Sequence, residues 1–416
     1  MKRLPPNFLH EKTMSRTALR APCFLLLRLI LVALNLRPTL SSLSPMLGEV
    51  SASLGFSAAT AGVLTTMPVL FLGLFAPLAP ILAQRFGAER TVLGVLLTLA
   101  AAILMRSSLG EAGLFVGSLL AGASIGVLGV LLPLIVKRDF GRQAATVTGI
   151  YTTALCLGAA LAAGFTVPLS HYLGNDWRMG LGVWLVPAMV AALFWWPQVR
   201  YPRGVQHGRI RVNGLLRDAL AWQVTLYMGM QSSLSYIVFG WLPSILIGRG
   251  LTPGEAGWVL SGSVMLQLVG AVAASWLAAR STDQRGAILI VMLLTLCGLF
   301  GCLYAPLGTL WGWAIVLGLG QGGAFSLALT LIVLRSRDSH VAANLSSMAQ
   351  GVGYTLASMG PLAVGLVHDR TGNWNAAGWI FAVIGGAAIV AGLGAGRARY
   401  VQATSEDLPT CTTLRS

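Results

Sequence analysis

From Gly286 to Leu334 the chain runs 49 residues without an Asp, Glu, Lys or Arg. One helix of that length would reach about 73 Å, more than twice the ~30 Å hydrocarbon core of a bilayer. Ala305-Pro306-Leu307-Gly308 is a turn signal inside the run, so it reads as two membrane-crossing helices joined by a tight turn. Similar runs recur along the chain, and each needs about 20 residues to cross. They predict helices at 23–46, 57–83, 90–106, 113–136, 143–168, 178–197, 220–247, 256–279, 286–304, 309–334, 342–367 and 376–396. Only 10% of the 416 residues are charged and 56% are hydrophobic, against about 25% charged in soluble domains. Such a chain cannot cover a water-facing surface with charge, whereas lipid accepts apolar side chains directly. The expected fold is an all-α membrane protein of twelve transmembrane helices.

Basic residues set the orientation. With twelve spans both termini share a side. The termini and the loops on that side hold 22 of the 28 Lys and Arg residues. The other side holds Arg106, Arg178, Arg249 and Arg370, and Arg28 and Arg37 fall inside the first helix. The expectation is a bacterial-type inner membrane with both termini cytoplasmic. The basic first 22 residues read as a cytoplasmic tail rather than a cleaved leader, because Arg28 interrupts the apolar run and no small-residue cleavage site follows. The net charge of +15 is spread between apolar runs rather than gathered in one patch, which argues against a nucleic-acid partner. The five cysteines show no disulfide or metal spacing, and no cofactor is expected.

The chain also repeats. Leu134-Ile135-Val136 with Arg138 matches Leu331-Ile332-Val333 with Arg335 at an offset of 197, as do Gly126 with Gly323, His171 with His368 and Trp177 with Trp374. Gly55 and Ala61-Gly62 match Gly250 and Ala256-Gly257 at 195. Six spans return a chain to its starting side, so the repeats are parallel, the arrangement of major facilitator transporters. The expected organisation is a tail (1–22), a six-helix half (23–197), a linker (198–219), a second half (220–396) and a tail (397–416).

Several stretches carry a family resemblance over roughly residues 24–396. They are Asn35-Leu36-Arg37, Gly62-Val63-Leu64-Thr65-Thr66-Met67-Pro68, Lys137-Arg138-Asp139-Phe140, Trp222-Gln223-Val224-Thr225, Gly240-Trp241-Leu242-Pro243, Met348-Ala349-Gln350, Gly353-Tyr354 and Gly372-Asn373-Trp374. The chain resembles the cyanate / 2-nitroimidazole transporter family of the major facilitator superfamily. The superfamily's loop motif, Gly-x-Leu-Ala-Asp-Arg-x-Gly, keeps Arg85 and Gly87 here. Pro80 stands for its first Gly and Gln84 for its Asp, so the gating ion pair of that Asp has no counterpart at position 84. Arg85, Gly87, Arg138 and Asp139 are the candidate gating residues. The resemblance implies a central cavity lined by helices 1, 4, 7 and 10, with 5, 8 and 11 beside them, and a monomer.

Arg37 is the most informative residue. It lies about 21 Å into the first helix, where a charge costs about 2.5–3.5 kcal/mol on insertion scales, and Pro38 weakens the helix beside it. One reading is a ligand for an anionic or strongly dipolar solute, bidentate for a nitro or carboxylate group. The other is an arginine that snorkels to the outer interface or caps carbonyls. The remaining candidates are neutral: Asn35, Tyr151, Gln231, Tyr236, Gln267, Gln321, Gln350 and Tyr354. Each has the plainer reading of an interhelical hydrogen bond, worth about 0.6 kcal/mol. Trp195 and Trp196 read as interface anchors.

All 13 acidic residues fall in loops, tails or span ends, which disfavours drug/proton antiport through a buried carboxylate relay. Without a nucleotide-binding loop, direct drive by ATP is disfavoured too. The expected function is transport of a small anionic or polar heteroaromatic solute, cyanate-like or nitroimidazole-like, by alternating access. The alternatives are a broader drug or metabolite exporter and, more remotely, a membrane sensor or enzyme.

Overall fold

The computed structural model describes residues 24–140, 144–200, 210–337 and 339–407. The first span is bent: α1 (24–34), α2 (Pro38–Ser41) and α3 (Leu43–Leu54). The second is α4 (Ala58–Phe75) with α5 (Leu78–Phe86). Then come α6 (Ala88–Ser108), α7 (Gly110–Phe140) and α8 (Ala144–Tyr172). The sixth span joins α9 (Trp177–Gly182) to α10 (Leu185–Trp195). The second half holds α11 (Ala219–Gly248), α12 (Pro253–Arg280), α13 (Arg285–Tyr304), α14 (Leu310–Leu334), the pair α15 (Ser339–Ala357) and α16 (Met359–Thr371), and α17 (Ala377–Ala395). Among the described residues eleven segments are long and apolar enough to cross a membrane. The α15–α16 pair completes the twelfth position.

Four breaks share one cause. A proline cannot donate to the carbonyl four residues back, and its ring crowds that carbonyl. Pro38 disturbs Leu34, Pro80 disturbs Ala76, Pro187 disturbs Val183 and Pro361 disturbs Ala357, and the helices break at or just after those residues. Pro68, Pro133, Pro168 and Pro243 stay inside continuous helices.

Outside the membrane part the linker and the C-terminal tail pair as a small antiparallel ribbon, β1 (Ile210–Asn213) against β2 (Thr404–Asp407), with Ile210 opposite Asp407. Just before β2, the Gln402 amide donates to Asp218 Oδ2 at 2.7 Å and the Val401 amide to the Arg335 carbonyl at 2.9 Å.

The halves meet where α8 packs on α12, α4 on α15 and α16, and α3 on α11. Within each half, small residues let backbones touch. Gly122 and Gly126 lie on the backbone of Pro68 and Leu72, and Gly318 and Gly322 on that of Ser263 and Gln267. The spatial counterpart of Gly126 is therefore Gly322, one residue from the Gly323 of the sequence match, while Gly323 faces the side chains of Val291 and Ala274. Trp196 is exposed, as an interface anchor should be, but Trp195 is fully buried and donates to the Glu89 carbonyl at 3.0 Å. Arg106, expected at the far-side end of the third helix, is in the last turn of α6, where it is buried and donates to the Thr39 carbonyl at 2.9 Å.

Candidate functional site

The break in the first span begins the site. Asn35 and Leu36 amides reach only three residues back, to Val32 and Ala33, and Pro38 then restarts the helix. Arg37 caps α2 with its backbone while its side chain makes no capping bond. That frees the guanidinium to enter a central cavity between the halves, with about 1280 Å³ of empty space including its open mouth.

Seven of the nine binding candidates line this cavity: Arg37, Tyr151, Tyr236, Gln267, Gln321, Gln350 and Tyr354. Gln267 Nε2 donates to Gln321 Oε1 at 3.2 Å, and Gln350 Nε2 donates to Ser346 Oγ at 2.8 Å. The Tyr236 and Tyr354 rings meet edge to face with centroids 6.0 Å apart. Ser232 and Ser235, on the same face of α11 as Tyr236, also line it, with Thr152 and Cys156 of α8.

Two candidates lie elsewhere. Asn35 is buried and donates through Nδ2 to the Leu31 carbonyl at 2.8 Å and the Pro187 carbonyl at 3.2 Å, so it ties the first span to the sixth. Gln231 is one residue off the cavity face, about 100° around the helix. It donates to Ser232 Oγ at 2.7 Å and the Met228 carbonyl at 3.2 Å, and its Oε1 has no partner.

Arg37 has neither an ion pair nor a side-chain hydrogen bond among the described residues, and no carboxylate lines the cavity. What surrounds the guanidinium is aromatic. Its Cζ lies 5.2 Å from the Phe239 ring centroid and 5.8 Å from that of Phe325, within cation–π range. Neither phenylalanine was singled out in the sequence, although Phe325 sits one turn beyond Gln321 and so shares its face.

The lining residues run from mid-span to Leu132 and Pro133 in α7 and Leu329 in α14. The cavity therefore extends toward the side on which the two halves' last helical turns lead to the linker and the C-terminal tail. The far side is closed. Ser44 Oγ donates to the Gly240 carbonyl at 3.1 Å, Trp241 Nε1 donates to the Pro361 carbonyl at 2.8 Å, and Gly62 abuts Gly365.

The loop residues form a separate group. Gly87 has φ 85°, the left-handed region that lets the chain turn between α5 and α6. Arg85 is exposed and lies over the Phe86 ring. The ion pair missing at Gln84 is made instead by Glu89: Arg138 Nη2 donates to Glu89 Oε1 at 2.6 Å, and Arg138 Nε donates to Asp139 Oδ1 at 2.9 Å. Glu89 was not among the candidates. Its signal was the repeat, since Arg85 and Arg90 match Arg280 and Arg285 at offset 195, which places Glu89 opposite Gln284. The structure makes that pairing twice, because Arg335 donates to Gln284 Oε1 and, at 2.9 Å each, to the Ala395 and Gly396 carbonyls. Burial pulls the Arg335 pKa below the ordinary arginine value, opposed in part by Asp283. Glu89→Gln is therefore expected to fold with a small loss of stability, copying the Gln284–Arg335 pair. Glu89→Ala leaves Arg138 short of an acceptor and is expected to cost about 3 kcal/mol. Thermal unfolding in detergent checks both, and equal losses for the two variants would sink this account of the pair.

The family model for the Major Facilitator Superfamily matches residues 29–358 and 235–406. An uncharacterized transporter, YycB, of Bacillus subtilis is 37% identical, covering 91% of this chain and 94% of that one. The 2-nitroimidazole transporter of Escherichia coli is 36% identical, over 90% and 95%. The cyanate transport protein CynX of Escherichia coli is 32% identical, over 84% and 91%. Among solved structures, the inward-facing, occupied form of a bacterial homolog of the human lysosomal transporter Spinster superposes with a TM-score of 0.72, covering 90% of this chain and 96% of that one. At 14% identity that likeness concerns the fold.

Proposed function

We propose that this chain, which belongs to the Major Facilitator Superfamily and within it to the family of cyanate and 2-nitroimidazole transporters, carries a small planar anion or polar heteroaromatic solute through the Arg37 cavity. It is a multi-pass membrane transporter. The observation that carries the substrate reading is the unpaired Arg37 guanidinium between two aromatic rings, in a cavity whose other polar groups are neutral amides and hydroxyls. A planar cation with a fixed fork of donors suits a flat anion, and the aromatic and aliphatic walls suit its apolar faces.

The halves 23–197 and 220–396 rock about this site, alternately opening it to each side, with cytoplasmic termini in an inner membrane. In that frame the present state faces the cytoplasm. The protein works as a monomer, and Glu89–Arg138 and Gln284–Arg335 hold the cytoplasmic loops of the two halves.

The test is ligand-induced thermal stabilisation of the purified protein. Cyanate, 2-nitroimidazole and 4-hydroxybenzoate are compared with a neutral sugar and an organic amine. Stabilisation confined to the first three supports the reading; stabilisation by the amine or the sugar instead would refute it.

A further inference from the structure

We propose that the protein is an obligate anion exchanger, reversing the accessibility of its cavity only when an anion occupies Arg37. The proposal rests on the anion reading above.

Arg37 is the one charged side chain lining the cavity among the described residues. It is half-buried, so water still reaches it in this terminus-side-open state. To reverse, the near ends must close over it as the far ends have closed at Ser44–Gly240 and Gly62–Gly365. Closure strips the guanidinium of water. A guanidinium keeps its proton in proteins, so its charge cannot be shed on closure. Among the described residues no cavity carboxylate stands ready to pair with it, and the faces of Phe239 and Phe325 offset only part of the desolvation. A bound anion supplies both the opposite charge and directed acceptors, the two things a buried cation requires. The loaded carrier therefore passes the closed state and the empty one is held back. A carrier that returns only when loaded swaps one anion for another and gives little net flux. The repeat places Ser232, a neutral residue, opposite Arg37 at offset 195, so the second half brings no compensating charge.

The experiment uses the full-length protein in proteoliposomes preloaded with radiolabelled cyanate. Potassium and valinomycin clamp the potential, so that charge movement does not limit efflux. Efflux is followed into buffer with and without unlabelled cyanate outside, after the thermal-shift assay has established binding. We expect external cyanate to accelerate efflux by about 100-fold, the factor that a lost neutralising partner of about 2.8 kcal/mol represents. Arg37→Gln should bring the two rates together, because its empty cavity closes without burying a charge. Cyanate binding with wild-type efflux equal in the two buffers overturns the exchange proposal and leaves the anion reading standing. No stabilisation by cyanate, 2-nitroimidazole or 4-hydroxybenzoate overturns the anion reading and the exchange proposal with it.

Discussion

Arg37→Ala is expected to weaken binding of the stabilising anion by at least about 100-fold, since two charge-assisted hydrogen bonds at about 1.5 kcal/mol or more each are lost. Ligand titration by thermal shift or calorimetry reads this directly. The unliganded variant should melt no lower than wild type, because removing an unpaired, partly desolvated cation relieves a cost rather than a bond. Arg37→Lys separates charge from geometry. It keeps the cation but replaces the planar fork with a point charge, and should fall between the two, about 10-fold below wild type. Unchanged affinity in Arg37→Ala would remove Arg37 from the site. A large drop in the melting temperature of the unliganded variant would instead make it a structural residue.

The second large effect is expected at Gly158, which no part of the cavity includes. Pro38 frees the Leu34 carbonyl, and Gly158 of α8 lies directly against it: a Cβ there would overlap the Leu34 backbone. Backbone cannot swing aside as a flexible side chain can. Gly158→Val must push apart α8 and the break that aims Arg37, at a cost of about 3 kcal/mol or more. The folded yield should fall, and the surviving protein should bind anions weakly. Gly94→Val is the control, because nothing lies within 4 Å of a Cβ there; its melting temperature should not move. Equal behaviour of the two variants would show that α8 tolerates displacement and that the break is not held from this side.

Ser41 and Asn35 show how the break is held from other sides. Ser41 Oγ donates to the Ala159 carbonyl at 2.9 Å, and Asn35 reaches the Pro187 carbonyl. Substrate contact was one expected role for Asn35, raised by the resemblance that puts the first helix at the cavity, and an interhelical hydrogen bond was the plainer one. The Asn35 side chain bonds the Leu31 and Pro187 carbonyls, which lie beside the Pro38 and Pro187 breaks. Polar residues beside a helix break serve either purpose, and sequence position does not separate them.

The halves divide the chemistry of the cavity unequally. Leu72 and Ile125 line it from the first half. Their counterparts under the structural offsets are Gln267 and Gln321, which are hydrogen-bonded to each other. At these two positions the first half supplies apolar wall and the second supplies amides. An internal duplication explains the shared scaffold of glycine contacts, while the site depends on where the copies differ.

The sequence by itself determined the membrane class, the number of spans, the parallel repeat, the family and the singular position of Arg37. Each follows from one-dimensional quantities: run length against bilayer thickness, charge spacing, periodicity and motif. Only the tertiary structure decided which polar residues share the cavity, that Phe239 and Phe325 flank the arginine, that Glu89 takes the place left by Gln84, and that Arg106 and Trp195 are buried. These depend on the rotation of each helix about its axis and on which carbonyls its prolines set free. A one-residue change of phase, about 100° around a helix, is enough to turn Gln231 out of the cavity and leave Ser232 in it.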